Sequence, residues 1–172
     1  MIKEALDQKI KLKTPKTLTK ILNVAILGLL VFLLFSCDRK RVYEDFFTTS
    51  GGWNKDSIAN FKVDIKNTSI NYNLMINCRN LVNYPYSNLW LFINIISPDS
   101  MAIRDTLEFQ LAQPNGKWTG KGTGGVYENQ FWYLANIFFP NSGNYQIQIQ
   151  HGMRDENLRG LKDIGVRIET YR

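Results

Sequence analysis

Histidine occurs once in the 172 residues and cysteine twice. Zinc sites recruit three or four His, Cys or carboxylate ligands, and haem needs an axial ligand, so this composition excludes most zinc and haem sites. Two cysteines also exclude a disulfide-rich scaffold. Gly-x-Ser-x-Gly and His-Glu-x-x-His are both absent, which removes the common nucleophile-elbow hydrolases and zinc peptidases. There is no internal repeat and no low-complexity tract. Positive charge is scarcer than the net +6 suggests, because the first 36 residues hold six Lys and two acids. They account for +4, and residues 37–172 carry only +2. A pI near 9.3 therefore does not make the chain a nucleic-acid binder.

What is present begins with Lys3, Lys9, Lys11, Lys13, Lys16 and Lys20, followed by an apolar run from Ile21 to Phe35 and then Ser36-Cys37. A basic stretch, a short apolar helix and a small residue before the cut describe a bacterial secretory signal. As a helix the run rises about 22 Å, short of a ~30 Å hydrocarbon core, and Asn23 interrupts it. Leu34-Phe35-Ser36-Cys37 resembles the lipobox of bacterial lipoproteins, with an aliphatic residue three before Cys and a small one just before it. The resemblance implies cleavage before Cys37 and acylation of its thiol and amine with palmitate-type chains. A single chain anchors marginally, at about 0.8 kcal/mol per buried methylene, whereas two or three anchor stably. The expected organisation is a removed signal peptide over 1–36, a lipidated Cys37 heading a charged tether over 37–45, and a folded domain over 46–172.

Beyond the tether the dominant period is two, the mark of half-buried strands. Glu44 to Thr48 reads as a first strand, ended by Ser50-Gly51-Gly52. Phe61, Val63 and Ile65 alternate with Lys62, Asp64 and Lys66. Ile70, Tyr72, Leu74, Ile76 and Cys78 share a face opposite Asn71, Asn73 and Asn77. Ile103, Leu107, Phe109 and Leu111 alternate with Arg104, Thr106, Glu108 and Gln110. Tyr145, Ile147, Ile149 and His151 alternate with three Gln, and Ile164, Val166 and Ile168 close the series. Leu89–Ile96 and Phe131–Phe139 are apolar on both sides and read as central strands covered on both faces. Pro114-Asn115-Gly116 signals a type I′ hairpin turn, and Asp155–Leu161 a single helical turn. Seven to nine short strands without a long helix predict an all-β, antiparallel two-sheet sandwich, jelly-roll-like, with a barrel as the second choice.

Chemistry-bearing residues are few. Cys78 lies on an apolar strand face and reads as a buried small hydrophobe. His151 continues the Ile147/Ile149 face and reads as a core-edge residue. Asp155, Glu156 and Asp163 sit among Arg154, Arg159 and Lys162 and read as a solvated, charge-balanced face, not as carboxylates across a cleft. No Asp-x-Asp-x-Asp-Gly loop offers calcium a site, and Gly120–Gly125 lacks the Gly-Lys-Ser/Thr of a phosphate loop. No catalytic set, cofactor or metal is expected. Of the four Trp, Trp90 and Trp132 lie within apolar strands and are expected in the core. Trp53 and Trp118 lie beside turns and, with the loop residues Tyr84 and Tyr86, are the candidate contacts for a protein partner or a glycan.

The lipobox, Tyr84-Pro85-Tyr86-Ser87-Asn88-Leu89-Trp90, and the ending Gly143-Asn144-Tyr145-Gln146-Ile147 … His151-Gly152-Met153-Arg154 … Leu158-Arg159-Gly160-Leu161-Lys162-Asp163-Ile164-Gly165-Val166-Arg167-Ile168 together resemble the gliding-motility lipoprotein GldH family. The resemblance spans the mature domain and implies a non-enzymatic envelope lipoprotein that supports the gliding apparatus through protein–protein contacts. It brings no catalytic residues. A carbohydrate-binding sandwich lipoprotein is the alternative. The resemblance also implies lipid anchoring at the outer membrane. Asp38 is the only acid before Arg39-Lys40-Arg41, which favours the periplasmic face over surface display. Asp56-Ser57-Ile58, Asp99-Ser100-Met101 and Asp105-Thr106-Leu107 resemble the Asp-Ser/Thr-apolar triplet of an O-glycosylation system in the same phylum.

Overall fold

A computed structural model describes Lys20 and residues 38–171. The apolar run Ile21–Phe35 and Cys37 lie outside the described residues. The folded unit begins at Lys40. It contains β1 (Arg41–Thr48), β2 (Trp53–Asn54), β3 (Ala59–Ile65), β4 (Tyr72–Leu81), β5 (Asn88–Ile96), β6 (Ala102–Gln110), β7 (Lys121–Thr123), β8 (Val126–Ile137), β9 (Gly143–His151), β10 (Asn157–Leu158) and β11 (Leu161–Thr170). One sheet has the order β1-β11-β4-β8-β7, the other β3-β9-β5-β6, and β2 and β10 form a two-stranded clip.

Eight of these strands are at least seven residues long. Counted in chain order, they run first-eighth-third-sixth in one sheet and second-seventh-fourth-fifth in the other. That is jelly-roll connectivity, in which all neighbours but the fourth-fifth pair come from distant parts of the chain. The expected all-β sandwich is therefore present, with its long strands within the expected number.

The core follows from the alternation. Phe61, Val63 and Ile65 from β3 and Ile147 and Ile149 from β9 face Leu74, Ile76 and Cys78 from β4 and Ile164, Val166 and Ile168 from β11, all buried. The ladders place apolar residues opposite each other: Leu74 with Ile168, Ile76 with Val166, Ile93 with Ile149. Cross-strand apolar pairs of this kind are the unit that stabilises a sheet.

Several local expectations are corrected. β1 starts at Arg41 and pairs with β11 from there, so Arg41–Asp45 belong to the sandwich and not to the tether. Asp155–Leu161 forms no helical turn, because Asn157 and Leu158 pair with Asn54 and Trp53. At Pro114-Asn115-Gly116 only Gly116 takes a positive φ, and the Gly116 amide donates to the Gln113 carbonyl at 2.9 Å. This is a type I turn closed by a left-handed glycine. The two-residue turn with both φ positive sits instead at Gly124-Gly125, joining β7 to β8.

The two apolar strands also differ from expectation. β5 is central in its sheet, but only Leu89, Leu91, Ile93 and Ile95 are buried, and Trp90 and Phe92 face solvent. β8 is half-exposed along its length, because the three-residue β7 covers only its first three positions. Trp132 is exposed. Conversely, the polar face of β4 is covered: Asn73, Met75 and Asn77 are all buried.

Candidate functional site

The outer face of the four-stranded sheet carries two exposed aromatics, Trp90 and Phe92, among amide side chains. Strand alternation turns Asn88, Trp90, Phe92 and Asn94 of β5 outward, because Leu89, Leu91, Ile93 and Ile95 fill the core. Trp90 is 38% exposed and Phe92 46%, two residues apart on one strand. On the flanks, Phe92 is level with Gln150 of β9 and Thr106 of β6, and Asn94 with Gln148 and Arg104. Asn94 Nδ2 donates to Gln148 Oε1 at 2.9 Å, and Asn88 Nδ2 to Glu108 Oε1 at 2.6 Å. The Asn94 Oδ1 is buried with no hydrogen-bond partner.

Gly152 packs closely here. Its amide donates to the Trp90 carbonyl at 2.7 Å. A Cβ at this position would lie 3.1 Å from Phe92 Cζ and 3.3 Å from Trp90 Cβ, so the absent side chain leaves room for both aromatics. The Trp90 amide meets the Met153 sulfur at 3.3 Å. Two shallow depressions result, one of about 390 Å³ beside Ile58, Phe92 and Arg104, the other of about 430 Å³ between Trp90, Met153 and Tyr86. Apolar rings set among neutral amides can pack against a protein surface or against the face of a sugar ring.

Of the sequence-selected contact residues, Tyr86 borders the second depression, and Trp53, Tyr84 and Trp118 fall elsewhere. Trp53 is 1% exposed. Its Nε1 donates to the Ser57 carbonyl at 2.9 Å, and its ring lies edge-on to His151 at 5.3 Å. Tyr84 is buried, and its hydroxyl donates to the Asn88 carbonyl at 2.9 Å. Tyr86 and Trp118 are half-buried, with ring centroids 5.9 and 6.4 Å from that of Tyr84. The Tyr86 hydroxyl donates to the Asp155 carboxylate at 2.9 Å. Trp53 and Tyr84 therefore offer no surface, because these loops fold back and close the end of the core. The exposed positions are Trp90 and Trp132, the two expected inside. The sequence signal that could have found Trp90 is its alternation with Leu89 and Leu91, hidden by the apolar character of the whole run. Cys37 lies outside the described residues.

Other titratable groups are absorbed by structure. Asp155, Glu156 and Asp163 separate, to Tyr86, Lys55 and Arg79 respectively. Cys78 is buried and its thiol is pushed well up by burial, away from nucleophilic use. His151 is buried. Burial lowers its pKa, opposed by its bond to the Trp53 carbonyl and by the Asp155 charge. Among the described residues no three His, Cys, Asp or Glu side chains converge as metal ligands. On the outer face of the other sheet, Glu44 accepts from Arg41, Arg167 and Asn77 at 3.0, 3.1 and 3.2 Å. Burial would raise its pKa, but these arginines hold it below the usual carboxylate range. Ser100 and Thr106 are exposed and Ser57 half-buried. Among the described residues no helix is long and apolar enough to cross a membrane.

Comparison with known proteins fits this architecture. Residues 41–168, from the first residue of β1 to near the end of β11, match the GldH lipoprotein family. A gliding motility lipoprotein GldH homolog from Christiangramia forsetii is 41% identical over 154 residues, covering 86% of this chain and 94% of its own length. Gliding motility lipoprotein GldH from Flavobacterium johnsoniae is 36% identical over 157 residues, covering 87% and 98%. Among solved structures, a family GH115 4-O-methyl-alpha-glucuronidase with specificity for decorated arabinogalactans overlaps 80% of this chain and 18% of its own. Its TM-score is 0.40 and its identity 12%, a likeness too weak to carry function. The match over the whole sandwich and two relatives above one third identity give the same answer: the chain belongs to the GldH lipoprotein family.

Proposed function

We propose that this protein is a lipid-anchored envelope component of the gliding machinery that acts as a non-enzymatic adaptor, docking a protein partner on the outer face of its four-stranded sheet. The relatives named for gliding motility and the lipobox at Cys37 support the setting. The observation that carries the docking reading is the exposed Trp90–Phe92 pair, seated on Gly152 and framed by amides. Large aromatics exposed on a rigid sheet are a typical anchor of protein interfaces. The protein faces the periplasm from the outer membrane in this reading, since its tether carries only one acid, Asp38, ahead of three basic residues.

The test is a Trp90→Ala/Phe92→Ala double variant, expressed in place of the wild type. Gliding and co-purification of envelope neighbours from detergent extracts should both fall, with lipoprotein level unchanged. Undiminished gliding would remove this face from the mechanism. The same face supports a second reading, because an aromatic pair among amides also suits a sugar ring. Saturable glycan binding by the purified protein, lost in the double variant, would move the assignment from protein to carbohydrate.

A further inference from the structure

One end of the sandwich is built differently from the other. β1 enters there at Arg41, and the Thr170 amide at the end of β11 donates to the Lys40 carbonyl at 2.9 Å. The Tyr171 amide donates to the Asn71 carbonyl at 2.8 Å, and Asn71 Nδ2 to Asn136 Oδ1 at 2.7 Å. The loop after β8 then meets the β5–β6 turn, where Asn141 Nδ2 donates to Asp99 Oδ2 at 3.0 Å. These bonds tie both sheets into one continuous end. It exposes Met101 (62%), Phe138 (58%) and Tyr171 (49%), with Val42 and Ile103 just inside it. Half of the large apolar side chains exposed among the described residues thus sit at or beside this end. The opposite end shows Val82 and Ile58 among the exposed charges Lys55, Lys117, Arg154 and Arg159.

Cys37 precedes Lys40 by three residues. An extended chain spans at most ~3.6 Å per residue, so the acyl-bearing sulfur cannot be held much more than about 11 Å from this end. The long strands run roughly 30 Å to the other end. We propose that the Lys40 end of the sandwich is a membrane-contacting surface, with Met101, Phe138 and Tyr171 set in the headgroup–acyl boundary of the leaflet that holds the lipid on Cys37. The proposal rests on the reading of Cys37 as the anchor. Exposed apolar and tyrosyl tips are the residue types that settle at this depth. Most charges on the folded end are paired or hydrogen-bonded, Arg41 to Glu44 at 3.0 Å, Lys66 4.0 Å from Asp64, and Asp99 to Ser97 and Asn141, while the tether residues Arg39 and Lys40 are exposed and basic. The apolar contact should therefore persist at high salt, with anionic lipid adding only a modest attraction through Arg39 and Lys40.

The experiment uses the full lipidated protein in phosphatidylcholine vesicles, with and without phosphatidylglycerol. Nitroxide labels are placed in Met101→Cys, Phe138→Cys and, at the far end, Lys117→Cys. Cys78 stays unlabelled because it is buried. Collisions with oxygen should exceed those with a water-soluble nickel chelate at positions 101 and 138, and the reverse should hold at 117. High salt should not change this. Aqueous behaviour at 101 and 138, in protein that floats with vesicles and shows acylated Cys37 by intact mass, overturns the proposal and leaves the anchor intact. Shielding of both labels from both reagents also overturns it, by showing that a second copy or another protein covers the end. Protein that neither floats nor carries lipid removes the anchor reading and this one together.

Discussion

Asp163, 1% exposed, meets the Arg79 guanidinium with both carboxylate oxygens, at 2.7 Å from Nε and 2.6 Å from Nη2. The pair joins β11 to β4 on the outer face of the five-stranded sheet, and the same guanidinium lies 4.7 Å from the Phe46 ring centroid of β1. One side chain thus links three strands whose sequence positions are far apart. A bidentate Arg–carboxylate pair is the strongest common form of ion pair. Removing its cation leaves a buried carboxylate uncompensated.

Arg79→Ala should therefore destabilise the fold by about 3 kcal/mol, below the upper range for buried pairs because the arginine is partly exposed. Asp163→Asn keeps the shape but loses the charge and one of the two acceptors; it leaves unpaired only the partly exposed arginine, not a buried carboxylate, and should cost less. Urea unfolding of both variants gives the comparison. Equal, negligible losses would mean that the pair is a surface contact despite its geometry.

The strands report their own facing. Ile149 is buried opposite Ile93 and Ala59, whereas Gln148 faces outward to Asn94. Ile149→Asp places an unpaired carboxylate in the core at a cost of several kcal/mol, comparable with a domain's whole stability of ~5–15 kcal/mol. Gln148→Asp loses one side-chain bond, about 1 kcal/mol. The first variant should fail to fold and the second should melt close to wild type by circular dichroism.

How much of this could be read in the sequence depended on whether one face of a strand met solvent. β3 and β9 show strict alternation because one side is core and the other amide or charge, and they were legible. β5 was not. Leu89–Ile96 is apolar on both sides whether its second face is covered by protein or kept for a partner, so periodicity alone placed Trp90 inside. The error ran the other way on β4, where Asn77 reads as exposed but is buried between Glu44 and Gln130, its bonding partners 33 and 53 residues away. Polarity indicates exposure only when no distant partner satisfies the group. Trp53 was missed for a similar reason: its strand is two residues long, and only pairing with Asn157-Leu158 shows that it closes the core.

Acid should weaken the protein through His151. Its pKa lies below the ordinary 6.5, first because it is buried, with the Trp53 carbonyl and Asp155 opposing. The folded state therefore resists a proton that the unfolded chain accepts. Nothing is lost above pH ~6.5, and stability falls as pH drops below it, by at most about 1.4 kcal/mol per pH unit from this one site. His151→Phe should lack this component, so the wild type should lose stability relative to the variant between pH 7 and 5 in urea titrations. Parallel curves would show that the imidazole titrates alike in both states.

The final prediction separates structural tryptophan from functional tryptophan. Trp53 contributes a buried ring, an indole N–H bond to the Ser57 carbonyl and an edge contact with the His151 ring. Trp53→Ala should therefore cost about 3–5 kcal/mol by leaving a cavity, and any loss of gliding would follow from lost protein. Trp90 faces solvent on a sheet whose core side is filled by Leu89 and Leu91, and its backbone bonds to Gly152 and Met153 survive truncation. Trp90→Ala should cost about 1 kcal/mol or less. If the outer face is the docking surface, this variant should remain at wild-type level and melting temperature while gliding and partner recovery fall. A Trp90→Ala protein that is as unstable as Trp53→Ala would show that the ring is packed, and a stable one that glides normally would place the partner on another face.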